Sequence, residues 1–319
     1  MHNKKDGDRY IATIITDKPV SVHDTLFSGQ TFRWVMYRGR DPYYISVIHG
    51  SPVIIKPMNT LCVSVYSDTY ELGGLELGKW AEYYLSLDIN EQVVMEPVFR
   101  FLHRDIALSI QDFYGLKVLR QDPFETAVTF MCAQGIGMPI IRRQIGEICR
   151  VFGDPVSFTF EGIRHTNYAF PSPERIASAH SEDLRICTNN NCRRAVNIRK
   201  MAGAVASGEL DFRKLASPDR SLDSIRDELC RYDGIGPKIA DCIALFGLGR
   251  FDAFPIDTHV RQYLHDWFGL KRAAMPLTVK NYMELQREIR SVINPELAGY
   301  AGHLLFHCWR RRVKGLNTA

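Results

Sequence analysis

The chain has no apolar run long enough to span a membrane and no charged-then-apolar leader, since it opens on the polar stretch MHNKKDGDRY. These absences disfavour a membrane or secreted protein, and the expected home is the cytoplasm or a nucleus. Cysteine is present but unclustered. Cys62, Cys132, Cys149, Cys187, Cys192, Cys230, Cys242 and Cys308 are scattered, which argues against a disulfide framework. Cys187 and Cys192 lack the second pair that a zinc site needs, so no metal is expected. Charge of one sign is also scarce. Forty Lys and Arg stand against 36 Asp and Glu, a net of +4 over 319 residues, which permits a local nucleic-acid-binding face without announcing one. At this length the chain can bury a large core and hold one to three subdomains.

What is present divides into a strand-rich first third and a helix-rich remainder. Residues 1–8 read as a polar tail. Arg9 to Thr16, Gln30 to Tyr37, Tyr43 to Ile48, Pro52 to Ile55 and Leu61 to Val65 are rich in Val, Ile, Thr and aromatics and are separated by Gly, Pro, Asp and Asn. They predict an antiparallel sheet, with helices over Trp80 to Leu87 and Glu96 to Tyr114 covering one face. Residues 9–121 thus read as an α+β domain. From 122 to 319 the pattern predicts an all-α region of about eight to ten helices. Asp122-Pro123-Phe124-Glu125 carries a cap, a first-turn proline and a glutamate, opening a helix to about Gln134. Helices are also expected over Met138 to Phe152, from Ser172-Pro173-Glu174, and over Asn191 to Ala206. Others follow at Ser221 to Tyr232, Thr258 to Phe268, Leu277 to Val292 and Glu296 to Arg312. The cleft between two helical halves would take the substrate.

The most informative segment is Leu229 to His259, LCRYDGIGPKIADCIALFGLGRFDAFPIDTH. Gly234 and Gly236 flank Ile235 in a Gly-x-Gly turn between two helical patterns. Glycine lets another molecule approach the backbone, and the N–H groups at the start of the next helix suit a phosphate. On the glycines alone an ordinary helix corner is the better reading. Lys238 adds chemistry, because it heads an apolar helix. Desolvation and the positive helix end both disfavour an ammonium there, making a nucleophilic amine accessible, although a lysine can also snorkel its head into water. Asp257 opens the following helix in Pro255-Ile256-Asp257-Thr258-His259. It would cap that helix, and the glycine-bounded crossing before it can fold back to set the carboxylate against the lysine.

GIGPKIADCIALFGL followed by PIDTH resembles the helix-hairpin-helix DNA glycosylases with the Gly/Pro-rich loop and aspartate, and within them the 8-oxoguanine DNA glycosylase branch. Ser28-Gly29-Gln30-Thr31-Phe32-Arg33-Trp34 is similar to a segment of the same family's N-terminal domain, so two motifs far apart in the chain agree. The resemblance runs over about residues 10 to 312. It implies a TATA-binding-protein-like N-terminal domain, and a bifunctional glycosylase and abasic-site lyase that acts on a damaged base flipped out of duplex DNA, expected to work as a monomer away from membranes. It assigns Lys238 the attack on C1′ and Schiff-base formation, and Asp257 the stabilisation of the developing positive charge.

By the same resemblance, the Gly29 carbonyl accepts from the N7–H that distinguishes 8-oxoguanine from guanine, while Cys242 and Phe306 sandwich the base. Taken alone, Gly29 is also a turn residue, and Phe306 reads better as a core residue. Gly234, Gly236 and His259 would hold DNA phosphates, with a monovalent cation bound by hairpin carbonyls, although His259 alone reads as a helix-surface residue. Arg193, in Cys192-Arg193-Arg194, falls where the family reads the opposite base. Some members carry an iron–sulfur cluster on four closely spaced C-terminal cysteines. With only Cys308 beyond Cys242, none is expected here.

Three features depart from the family pattern. The base-edge glutamine of the last helix falls on Gly302, beside His303. The asparagine that wedges into the emptied stack falls near Gly135 in AQGIGM, where Ile136 or Met138 would have to serve. The tyrosine of the opposite-base pair is missing, and Asn189, Asn190 and Asn191 read as caps for the next helix instead. The basic runs Arg193 to Lys200 and Arg310 to Lys314 read as solvated faces. These departures leave open a glycosylase for another damaged base and, against Lys238 and Asp257, a non-catalytic DNA-binding protein.

Overall fold

The computed structural model describes residues 2–6, 9–39 and 41–316. Strands β1 (His2–Asp6), β2 (Arg9–Ile15), β3 (Val35–Tyr37), β4 (Tyr43–Ile48), β5 (Ser51–Asn59) and β6 (Cys62–Ser67) form one sheet in the order β1-β2-β6-β5-β4-β3. Every neighbouring pair is antiparallel. Tyr44 lies opposite Ile55, and Ile45 opposite Ile54. Successive side chains leave opposite faces of a strand, so this register sorts the apolar residues into two cores. Tyr44, Val53, Ile55, Val63 and Val65 pack with Trp34, Trp80 and Tyr84. Helices α1 (Val22–Phe27) and α2 (Leu77–Tyr84) close that face, α2 being entered from the short ladder of β7 (Glu71–Leu72) and β8 (Leu75–Glu76).

Tyr43, Ile45 and Ile54 emerge on the other face and meet Phe158 and Phe160. Those two phenylalanines belong to a hairpin of β9 (Pro155–Phe160) and β10 (Ile163–Tyr168). The region from 122 onward is therefore not all-α. Its hairpin exists because the sheet's second face is apolar and needs covering.

Other boundaries also differ from expectation. Residues 2–6 are not a tail but the outermost strand of the sheet. Gln30 to Trp34 leave the sheet, because Gln30 satisfies neighbouring backbone groups itself. Its amide donates to Thr25 O and Lys117 O at 2.8 Å and accepts from Leu119 N at 2.8 Å. The single helix expected over Glu96 to Tyr114 is two, α3 (Glu91–Phe99), with Pro97 inside it, and α4 (Arg104–Gln111).

The helical part follows its caps. It comprises α5 (Pro123–Cys132), α6 (Met138–Phe152), α7 (Pro173–Ala177), α8 (Ser181–Cys187), α9 (Cys192–Ala206), α10 (Phe212–Leu215), α11 (Leu222–Leu229), α12 (Pro237–Gly247), α13 (Thr258–Asp266), α14 (Val279–Arg290) and α15 (Ala298–Cys308). Asp122, Ser172, Asn191, Ser221, Asp257 and Thr278 each accept from the backbone N–H three residues on. Each such cap is worth about 1 kcal/mol.

Two arrangements position the site. First, α15 bridges the N-terminal part and the hairpin region. Tyr300 donates to Glu91, which also pairs with buried Lys117, and His303 bonds Ser28 across the domains at 2.8 Å. Second, the loop after α12 lies hard against α15. Gly299 N–H donates to Phe251 O at 2.8 Å, and a Cβ on Gly299 would stand 1.8 Å from Ala253 O, so only glycine admits this approach. Beneath both, fully buried Asp241 on α12 accepts from Arg226, Tyr282 and Gln286, tying α11, α12 and α14 together. Gln286 also donates to Phe254 O at 2.7 Å, which fixes the loop leading to Asp257.

Candidate active site

Helix α12 begins without a side-chain cap. Its N-cap is Gly236 and its first residue is Pro237, so the first-turn amides keep their hydrogen-bonding capacity for an external acceptor. Gly234 has φ +88°, a conformation that favours glycine, and its carbonyl accepts from Gln134 Nε2 at 2.6 Å. The Gly-x-Gly turn is thereby tied to the α5–α6 loop.

Lys238 follows in the first turn of α12, half-buried, its ammonium 5.3 Å from the centre of the Phe130 ring. Asp257 is half-buried at the start of α13, and its Oδ1 accepts from Val260 N at 2.8 Å. Capping and a site role are therefore compatible, since one oxygen serves the helix while the group still lines the pocket.

Lys238 and Asp257 border a cavity of about 170 Å³ that Gly29, Cys242, Gly302, His303, Phe306 and Arg310 also line. Residues singled out from both ends of the chain meet here. Gly29 has φ +93° and carries the Met138 methyl group against it. Burial pushes the Cys242 thiol up to about 12 against the opposing pull of Lys238, which makes Cys242 a neutral wall rather than a nucleophile. Phe306 is half-buried, 5.9 Å from the His303 ring at 22° and 6.0 Å from the His259 ring. His303 is fully enclosed. Burial, with His307 and Arg310 nearby, drives its pKa down to about 3, so a neutral imidazole meets Ser28.

A crevice joins this cavity to the hairpin, bordered by Gly234, Gly236, Lys238, Asp257 and His259 on one side and Gln134 to Gly137 on the other. Ile136 and Met138 both line the cavity itself. Arg193 is exposed in a neighbouring crevice with Asn197 and Gly234. Its neighbour Arg194 reaches the loop instead, donating to Gln134 O at 2.9 Å.

The family model described as 8-oxoguanine DNA glycosylase, N-terminal domain, matches residues 13–127. That of the HhH-GPD superfamily base excision DNA repair proteins matches residues 131–295, more than half of the chain. The chain belongs to this superfamily. It is a DNA glycosylase. The N-glycosylase/DNA lyase of Arabidopsis thaliana is 27% identical over 310 residues, 92% of this chain and 78% of that one. The N-glycosylase/DNA lyase of Saccharomyces cerevisiae is 25% identical over 261 residues, covering 77% and 68%. Among solved structures, MBOgg1 in complex with a low-affinity DNA ligand superposes with a TM-score of 0.77 at 27% identity, covering 97% of this chain and 98% of that one. A Clostridium acetobutylicum 8-oxoguanine glycosylase/lyase shares the fold at a TM-score of 0.78 and 22% identity, covering 98% and 99%.

Sequence reasoning missed parts of this glycosylase's site. Arg310 is not part of a solvated run, because it is only 8% exposed and faces the cavity while Arg311 to Lys314 are exposed. Its place one helical turn beyond Phe306 was the available signal. Phe254, which gave no such signal, explains the missing glutamine. A Cβ on Gly302 would lie 2.5 Å from the Phe254 ring, so the ring occupies the volume that a side chain at 302 needs.

Proposed function

We propose that this glycosylase excises 8-oxoguanine from double-stranded DNA and then nicks the strand, with Lys238 as nucleophile. The observation that carries the reading is the convergence of Lys238, Asp257, Gly29, Cys242 and Phe306 on one cavity. The target nucleotide leaves the stack, because its glycosidic bond is unreachable within the duplex. Its base enters between Cys242 and Phe306, and the Gly29 carbonyl accepts from N7–H, where guanine would present a repelling lone pair.

Lys238 Nζ, having lost its proton, attacks C1′ as the C1′–N9 bond breaks and its electron pair leaves with the base, which takes up a proton. The Asp257 carboxylate opposes the positive charge that builds on the sugar. Opening of the C1′–O4′ bond gives the Schiff base on Nζ. Loss of a C2′ proton then expels the 3′-phosphate by β-elimination, and water releases the lysine. Gly234, Gly236 and the first-turn amides of α12 would grip the DNA backbone. Gly302 favours one second reading, a different damaged base, since the family's edge-reading side chain is absent.

The test is borohydride trapping on duplexes carrying 8-oxoguanine, alkylated purines, uracil or oxidised pyrimidines. The expected result is a covalent complex and a nicked strand with 8-oxoguanine, both abolished in Lys238→Gln. Normal trapping by that variant would refute the lysine assignment, and preferential excision of another base would refute the substrate.

A further inference from the structure

The edge of the base opposite its sugar needs a reader, and Gly302 cannot supply one while Phe254 fills the space beside it. His303, next to it, is engaged with Ser28. The same face of α15 continues through Phe306 to Arg310, where the helix gives way to a π turn over Trp309–Val313. Such turns are frequent at functional sites.

The Arg310 side chain is buried, 5.5 Å over the Phe306 ring, and its Nη1 lies 3.9 Å from where a Cβ on Gly29 would stand. Among the described residues its one side-chain hydrogen bond runs from Nη1 to Met138 Sδ at 2.8 Å. A thioether is a weak acceptor, so a buried guanidinium is left short of oxygen in a cavity built to receive a base. Burial pulls its pKa down, with Asp257 opposing.

8-Oxoguanine presents N7–H flanked by two carbonyl oxygens, O6 and O8. Whichever way the base seats N7–H on Gly29, an oxygen falls beside it. We infer that Arg310 donates to an oxygen flanking N7–H of the extruded base, displacing the Met138 sulfur and supplying a polar contact to the base that position 302 cannot. This rests on the 8-oxoguanine reading above. Gly29 still rejects guanine, and Arg310 supplies affinity for the oxidised base.

The test measures single-turnover excision of 8-oxoguanine and 8-oxoadenine, together with cleavage of a preformed abasic site, which uses Lys238 but no base. Arg310→Met should slow 8-oxoguanine release by about 10- to 100-fold, the value of a charge-assisted hydrogen bond, and leave abasic-site cleavage unchanged. Arg310→Lys, which keeps the charge and a donor, should lose less and guards against a misfolded methionine variant. 8-Oxoadenine keeps O8 but lacks O6, so a parallel loss on it identifies O8 and an unchanged rate identifies O6. Unchanged 8-oxoguanine release, or equal losses of release and abasic-site cleavage, would overturn the inference. A wild-type enzyme that cuts abasic sites but leaves 8-oxoguanine in place would instead overturn the substrate reading and the inference with it.

Discussion

Replacing His303 with glutamine isolates the energetic consequence of an enclosed neutral imidazole. The folded protein holds the His303 pKa near 3, depressed first by burial and then by His307 and Arg310, against an ordinary value of 6.5. The folded state therefore binds fewer protons than the unfolded one at acid pH. Its contribution is complete above pH 6.5 and is lost as pH falls toward 3. At pH 5 the unfolded imidazole lies about 1.5 units into protonation while the buried one remains neutral, and each unit is worth about 1.4 kcal/mol. His303 alone should then remove about 2 kcal/mol of stability between pH 7.5 and pH 5. His23 and His165, also lowered by burial, titrate in both proteins and cancel in the difference. Urea unfolding of wild type and His303→Gln at the two pH values is the assay. The variant starts less stable, because the fit to Ser28 is disturbed, but should lose about 2 kcal/mol less on acidification. Equal losses would mean that the imidazole is protonated in place, and the argument for a neutral group would fail.

Asp241→Ala removes the acceptor shared by Arg226, Tyr282 and Gln286 and leaves a buried guanidinium with exposed Asp223 and Gln286. A loss of about 3 kcal/mol is expected, read as a thermal midpoint lower by several degrees, and a midpoint within a degree of wild type would contradict it. Gly29→Ala puts a Cβ at φ +93° and 2.0 Å from the Met138 methyl, so the turn strains and the methionine must move. Base excision should fall by about 10-fold or more while abasic-site cleavage persists, and a wild-type excision rate would show that the carbonyl's placement does not matter.

Much of the fold was legible because its signals are local. Capping side chains announced α5 and α9 within a residue or two, and Met138 to Phe152 is observed with the expected bounds. Lys238 and Asp257 stood out for the same reason, each at a helix start that glycine or proline marks, and both line the cavity. What escaped depends on distant partners. The alternation in Val156-Ser157-Phe158-Thr159-Phe160 is a strand signal, yet only the apolar second face of a sheet a hundred residues earlier makes it a hairpin. Gln30 lies in a segment with strand composition but is drawn out of the ladder by backbone groups at Thr25, Lys117 and Leu119. Arg310 sits in a basic run that composition assigns to solvent, and only the end of α15 turns it inward.

The base-edge departure has a cause in packing rather than in the pocket. Gly299 and Gly302 form one face of α15, and both are crowded by the segment that carries the chain from α12 to Asp257. That segment must press close, because it delivers the carboxylate to the cavity and is anchored from behind by Gln286. With phenylalanine at 254, the close approach fills the volume that an edge-reading side chain on α15 requires. Phe254 is 1% exposed, and its burial adds about 2 kcal/mol to the packing of the loop that leads to Asp257. Packing and recognition thus compete for the same space, and here packing holds it. A donor for the base must come from a part of the wall that the loop does not cover. The π turn after α15 is such a place, and it brings a buried guanidinium to the side of Gly29.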